Sequence, residues 1–139
     1  MNAVIDTNLL VRMASAGSHD PLFFAWRERR FDICLSRSLF RELEDVLARS
    51  KMKRFVRPAS AARFLRDLRE DALFVEPADK APRCRDPKDD VVLATAVSAQ
   101  ADFLVTADKD LYDDPELVAR MRQLDIQIVL PPEFLRFLD

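Results

Sequence analysis

Residues 86–110 read DPKDDVVLATAVSAQADFLVTADKD, and the order of signals in this stretch decides the fold. Asp86-Pro87 opens a helix with an acid as cap and proline at the first helical position. Val92, Leu93 and Ala96 then share one inward face with Asp89, and the helix runs to about Gln100. Phe103 to Thr106 follows as a short apolar strand, with Asp108 and Asp110 directly behind it. The start of the chain repeats the theme: Ala3 to Asp6 is an apolar strand closing on an acid, and Leu9 to Ala14 then reads as helical.

Outward from these two units the alternation continues. Pro21 to Arg30 reads as a helix with a basic end, and Phe31 to Leu35 as a strand. Ser36 caps a helix to about Ser50, with Leu39, Phe40, Leu43, Val46 and Leu47 on one face. A basic connector leads to a helix from Ala61 to Asp71 and a strand from Leu73 to Glu76. Pro77 to Arg85 is a proline-rich loop. The last elements are a helix from Pro115 to Leu124, a strand from Ile126 to Leu130 and a short helix starting at Pro132. Strands separated by helices imply parallel βαβ units. The expectation is one α/β domain over residues 1–139, a five-stranded, mostly parallel sheet with helices on both faces.

Composition excludes several chemistries. Of 139 residues, 49% are hydrophobic and 33% charged, which suits a packed domain and not a disordered tail. Gly17 is the only glycine, so no Walker-A or dinucleotide-binding glycine loop exists. His19 is the only histidine and Cys34 and Cys84 the only cysteines, which removes His-rich and four-thiolate metal sites. Two cysteines also suit a reducing compartment, Cys34 packed in a strand and Cys84 in a loop. The longest charge-free stretch, Val91 to Ala101, is too short to span a bilayer. No basic lead-in precedes the apolar start, so a cytoplasmic protein without a membrane partner is expected.

Carboxylates remain, and they are placed to converge. Ligands of an open parallel sheet sit at the carboxyl ends of its strands. Asp6 and Asp108 stand at two such ends, while Glu42 and Asp89 lean inward from the first turns of helices rising from the same edge. Acids brought together repel, so either their pKa values rise or a cation joins them. An all-oxygen set points to Mg²⁺ or Mn²⁺, and Mg²⁺ takes few carboxylates, keeping room for waters and substrate phosphates.

Val4-Ile5-Asp6-Thr7-Asn8, Leu39-Phe40-Arg41-Glu42-Leu43, Cys84 to Asp90 leading into Leu93-Ala94, Leu104 to Leu111 and the closing Pro131 to Leu135 resemble, in order, the PIN-domain nucleases. The resemblance is greatest to the VapC-like toxins of type II toxin–antitoxin pairs. It implies a PIN-like fold and catalytic acids at Asp6, Glu42, Asp89 and Asp108, of which Asp6, Asp89 and Asp108 hold Mg²⁺ or Mn²⁺. Glu42 is either a ligand or the holder of a water. Asp86, Asp90 and Asp110 are additional acidic positions, and the assignment between Asp89 and Asp90 shifts with the alignment of Leu93-Ala94. Asn8 and Thr106 resemble supporting polar positions that orient the acids. The resemblance further implies hydrolysis of RNA phosphodiesters to 5′-phosphate and 3′-hydroxyl ends, neutralisation by a small antitoxin protein, and a homodimer.

Plainer readings stand beside these. Asp86 is also a helix cap, Asp113 and Asp114 are helix-start residues, and Glu42 is a boundary acid within reach of Arg41 or Arg49. The basic run Lys51 to Arg57 either grips RNA backbone or is a solvated connector. Phe23, Phe24 and Trp26 read as core or subunit interface. The alternative function is a PIN-like module that binds RNA or a partner protein without cleaving. A haloacid-dehalogenase-type phosphatase needs Asp-x-Asp after the first strand, where this chain has Asn8.

Overall fold

Apolar runs too short for helices build the centre of the molecule. In β1 (Asn2–Ile5) and β4 (Phe103–Val105), Ala3, Val4, Ile5, Phe103, Leu104 and Val105 are all buried. Successive side chains of a strand point to opposite faces, so burial of every one means that both faces are covered. The computed structural model of the protein describes residues 1–77, 81–83 and 85–139. With β2 (Asp32–Ser36), β3 (Leu73–Val75) and β5 (Gln127–Val129), the sheet has the order β3-β2-β1-β4-β5, and every pairing is parallel. The expected five-stranded α/β sheet is borne out, and its parallel character is complete, because a helical crossover separates each strand from the next. The edge strand β3 leaves Leu73 and Phe74 exposed.

Eight α-helices complete the described residues: α1 (Thr7–Ala16), α2 (Pro21–Arg27), α3 (Arg37–Ala48), α4 (Pro58–Asp71), α5 (Asp90–Ala99), α6 (Lys109–Tyr112), α7 (Pro115–Gln123) and α8 (Pro131–Leu138). Their starts follow from local chemistry. Side chains of Asp6, Asp20, Ser36 and Asp114 accept backbone N–H groups at the starts of α1, α2, α3 and α7, satisfying donors that have no partner within the helix. Helix α2 stops three residues earlier than its sequence suggests. Arg29 takes a left-handed conformation (φ 60°), and the Arg30 N–H closes back on the Ala25 carbonyl at 3.0 Å.

Helix α5 also starts late. Pro87–Asp89 form a 3₁₀ turn, and the α-helix begins only at Asp90. It packs across β1, β2, β3 and β4, and its Val92, Leu93, Thr95 and Ala96 are buried. Helix α8 inserts Phe134, which is fully buried, with its ring 4.9 Å from Phe31 and 5.3 Å from Phe103. Burying a ring of this size contributes about 2–3 kcal/mol. Cys34 is buried in β2 as expected, and burial pushes its thiol pKa up to about 11. Cys84 and residues 78–80 of the proline-rich loop lie outside the described residues. Trp26 is buried and Phe23 half-buried, whereas Phe24 is exposed. No helix among the described residues is long and apolar enough to cross a membrane.

Candidate metal centre

The strand order reverses between β1 and β4. From β1 the chain works outward through β2 and β3, and β4 and β5 lie on the other side. The crevice beyond the carboxyl ends of those two strands is the place where this architecture binds ligands. Asp6 follows β1 and Thr106-Ala107-Asp108 follows β4, so both enter the crevice as a result of topology. The backbone holds them there: the Asp6 N–H donates to the Val105 carbonyl, and the Thr106 N–H to the Val129 carbonyl, both at 3.0 Å.

Asp6 is only 5% exposed. Its Oδ1 accepts the Thr7 N–H at 2.8 Å and its Oδ2 accepts the Thr106 hydroxyl at 2.7 Å. That hydroxyl also accepts the Asp108 N–H at 3.0 Å, so one fully buried threonine ties two acids together. Asp108 in turn caps α6 by accepting the Asp110 N–H at 2.9 Å. Burial raises the Asp6 pKa, its two hydrogen bonds oppose the rise, and the nearby Asp108 charge adds to it.

Asp89 carries the larger perturbation. Its pKa is pushed up to about 7, first by burial, then by the charges of Asp6, Asp108 and Asp86, and by a hydrogen bond with Asp108. Oxygens of Asp86, Asp89 and Asp110 lie within 4.8 Å of one another. The 3₁₀ turn explains part of this grouping, because the Asp89 N–H closes on the Asp86 carbonyl at 3.0 Å and draws the two acids into one turn.

Five acids of the expected set thus meet: Asp6, Asp86, Asp89, Asp108 and Asp110. The tightest group is Asp86, Asp89 and Asp110, with Asp6 and Asp108 acting on it through Asp89. Between neighbours, Asp89 is the one in the field of Asp6 and Asp108, while Asp90 is in an ion pair with Arg83 at 3.3 Å. Thr106 lies at the centre. Glu42 sits half-buried in the second turn of α3, which rises from the same edge, and Asn8 is exposed in the first turn of α1.

Sequence reasoning missed Arg85. Its guanidinium donates to the carbonyls of Lys109 (3.1 Å) and Asp113 (3.5 Å), with Nε 3.7 Å from Asp110 and 4.0 Å from Asp114. It thereby links the segment carrying Asp86 and Asp89 to the turn carrying Asp110. The sequence shows a cation among acids but not which loop it reaches. Also missed was the buried pair Ser36–Thr95, Oγ to Oγ1 at 2.8 Å, which joins the start of α3 to α5.

The donor set fits a hard divalent cation. It is all carboxylate oxygen, and opposite ligands of Mg²⁺ at ~2.1 Å stand ~4.2 Å apart, inside the observed spread. The buried Thr7 hydroxyl, next to Asp6 in the chain, has no hydrogen-bond partner among the described residues. No curated protein matches the chain. The family model described as a PIN domain matches residues 2–110, from β1 through the turn bearing Asp108 and Asp110, and the chain therefore belongs to the PIN domain family, whose members are generally nucleases.

Proposed function

We propose that this protein is a divalent-metal-dependent endoribonuclease, acting over residues 1–139 as one nuclease domain. The supporting observation is the meeting of Asp6, Asp86, Asp89, Asp108 and Asp110 at the sheet's switch point, which raises the Asp89 pKa to about 7. An acid cluster this repulsive is stabilised by a cation, and Mg²⁺ or Mn²⁺ suits its oxygens. Asp6, Asp89 and Asp108 hold the metal, joined by Asp86 and Asp110. When bound, such an ion activates water and offsets the charge of the scissile phosphate.

The chain's own residues do the rest. Thr106 donates to the Asp6 carboxylate and accepts the Asp108 N–H, holding the two acids side by side at the crevice. Arg85 holds the Asp110 turn against the segment before α5. Glu42 orients the attacking water or joins the ligands. Phosphodiester hydrolysis of this kind needs no covalent nucleophile, and it leaves 5′-phosphate and 3′-hydroxyl ends.

The cellular role we assign is that of a cytoplasmic, VapC-like toxin, paired with a small antitoxin protein and acting as a homodimer. The test is cleavage of a mixed RNA substrate with Mg²⁺, Mn²⁺ or EDTA, alongside an Asp6→Asn protein prepared identically. Metal-dependent cleavage that disappears in Asp6→Asn is the expected result. RNA binding without cleavage under any metal would replace the nuclease with a binding module.

A further inference from the structure

Charge is unevenly spread along this chain. Between Asp45 and Asp67 there are seven Lys and Arg residues and no acid, although the chain as a whole carries −2. The centre of that stretch is the 3₁₀ turn Ser50–Arg54 and the residues after it. Met52 and Val56 pack inward and anchor the segment. Lys51, Lys53, Arg54 and Arg57 are exposed, and among the described residues no carboxylate forms an ion pair with them.

Phe55 is 72% exposed, the most exposed of the large apolar side chains. Its backbone is nevertheless held, its N–H on the Met52 carbonyl at 2.9 Å and its carbonyl on the Ser15 hydroxyl at 2.8 Å. Ser50, Lys51, Arg54 and Phe55 line one open hollow of about 450 Å³. An exposed aromatic ring on a held backbone, sharing a hollow with two cations that no described carboxylate pairs with, is the combination that holds single-stranded nucleic acid: cations for the phosphates, ring for a base.

The hollow also has a path to the acids. Ser15 lies near the end of α1, about 12 Å along the helix axis from Thr7. Asn8, Arg12 and Ser15 are all exposed and, at i, i+4 and i+7, share one face. That face runs from beside Asp6 to the Ser15–Phe55 contact, and Arg12 adds a cation part of the way along it.

We infer that the Lys51–Arg54–Phe55 hollow is a second contact for single-stranded RNA, one helix length from the acidic crevice. The choice of polymer rests on the ribonuclease reading; the charge and the exposed ring are independent of it. At ~3.4 Å per stacked nucleotide, about four nucleotides bridge the two places. Substrates longer than about five nucleotides engage both, and shorter ones reach only the acids.

The experiment measures binding of a labelled twelve-nucleotide single-stranded RNA to the full chain in EDTA, so that no cleavage intervenes. Phe55→Ala, which removes an exposed ring and leaves the core intact, is expected to weaken binding about 5- to 150-fold. Lys51→Gln with Arg54→Gln is expected to lower the slope of log affinity against log salt by about 1.4. Blunt duplex RNA is the control, on which Phe55→Ala has no effect. Unchanged single-strand affinity in both variants overturns the inference, as does a loss of poly-glutamate binding in Phe55→Ala as large as the loss of RNA binding, which marks a surface for acidic protein. Self-association of the wild type that Phe55→Ala abolishes also overturns it, because a second copy then occupies the hollow. Metal-dependent cleavage of a trinucleotide, assayed on the wild type, reads the nuclease separately. Cleavage without a Phe55 effect on binding removes only this inference. A Phe55 effect without cleavage removes only the nuclease.

Discussion

Replacing Asp89 by asparagine is expected to stabilise the metal-free protein at alkaline pH. The folded state lifts the Asp89 pKa from 3.8 to about 7, through burial and the charges of Asp6, Asp108 and Asp86. Between those values the folded protein binds a proton that the unfolded chain does not, so stability falls as pH rises through the window. A shift of this size corresponds to about 4 kcal/mol at full value. Asp89 is only half-buried, and solvent screening reduces the usable part to about 1–2 kcal/mol. For a chain of this length that is roughly 3–8 °C in Tm. The assay is thermal unfolding in EDTA at pH 5 and pH 8. A carboxamide cannot ionise, so Asp89→Asn unfolds higher than wild type at pH 8; the gap shrinks to about a third at pH 5 and closes only as the pH falls below the unfolded-state value of 3.8. Adding Mg²⁺ at ten times its Kd raises the wild type by about 1.4 kcal/mol, and the variant by less. Equal Tm values at pH 8 in EDTA, or a variant that unfolds first, would refute the repulsive cluster.

Further substitutions examine the supports of the site and the core. Thr106→Val strands the Asp108 N–H and removes a donor from Asp6, so urea titration is expected to show a loss of about 1–3 kcal/mol, with metal affinity about 10- to 100-fold weaker. Thr106→Ser restores both. Phe134→Ala leaves a cavity between Phe31 and Phe103, and is expected to cost about 3–5 kcal/mol in the same titration. The Cys34 thiol, buried and held at about 11, is expected to resist alkylation at pH 8 until the protein is unfolded, as read by peptide mass spectrometry.

The sheet was legible because its central strands are continuous apolar runs bounded by acids and caps, a pattern that few other structures accommodate. Ser36 and Asp114 were readable as helix starts for the same local reason. Helix ends were less so, since the left-handed turn at Arg29 depends on backbone closure that no side chain announces. The one-turn α6 was invisible: four residues carry no period, and it is held by the Asp108 cap and by Arg85, which donates to the carbonyls of Lys109 at its start and Asp113 at its end. In the site, the acids could be nominated from strand ends and helix faces, but their grouping could not. Asp86 read as a cap, yet the 3₁₀ turn places it with Asp89 and Asp110. Such a shift of one turn is decided by tertiary packing of α5 across the sheet.

The most direct measurement is Mn²⁺ binding to the folded wild-type protein at pH 7.5, followed by electron paramagnetic resonance, with Asp89→Asn alongside. Saturable binding to the wild type, weakened at least tenfold in Asp89→Asn while the variant stays folded, is the expected result. Equal Mn²⁺ affinity in the two proteins, or no binding to either, would contradict a metal centre built on Asp6, Asp89 and Asp108.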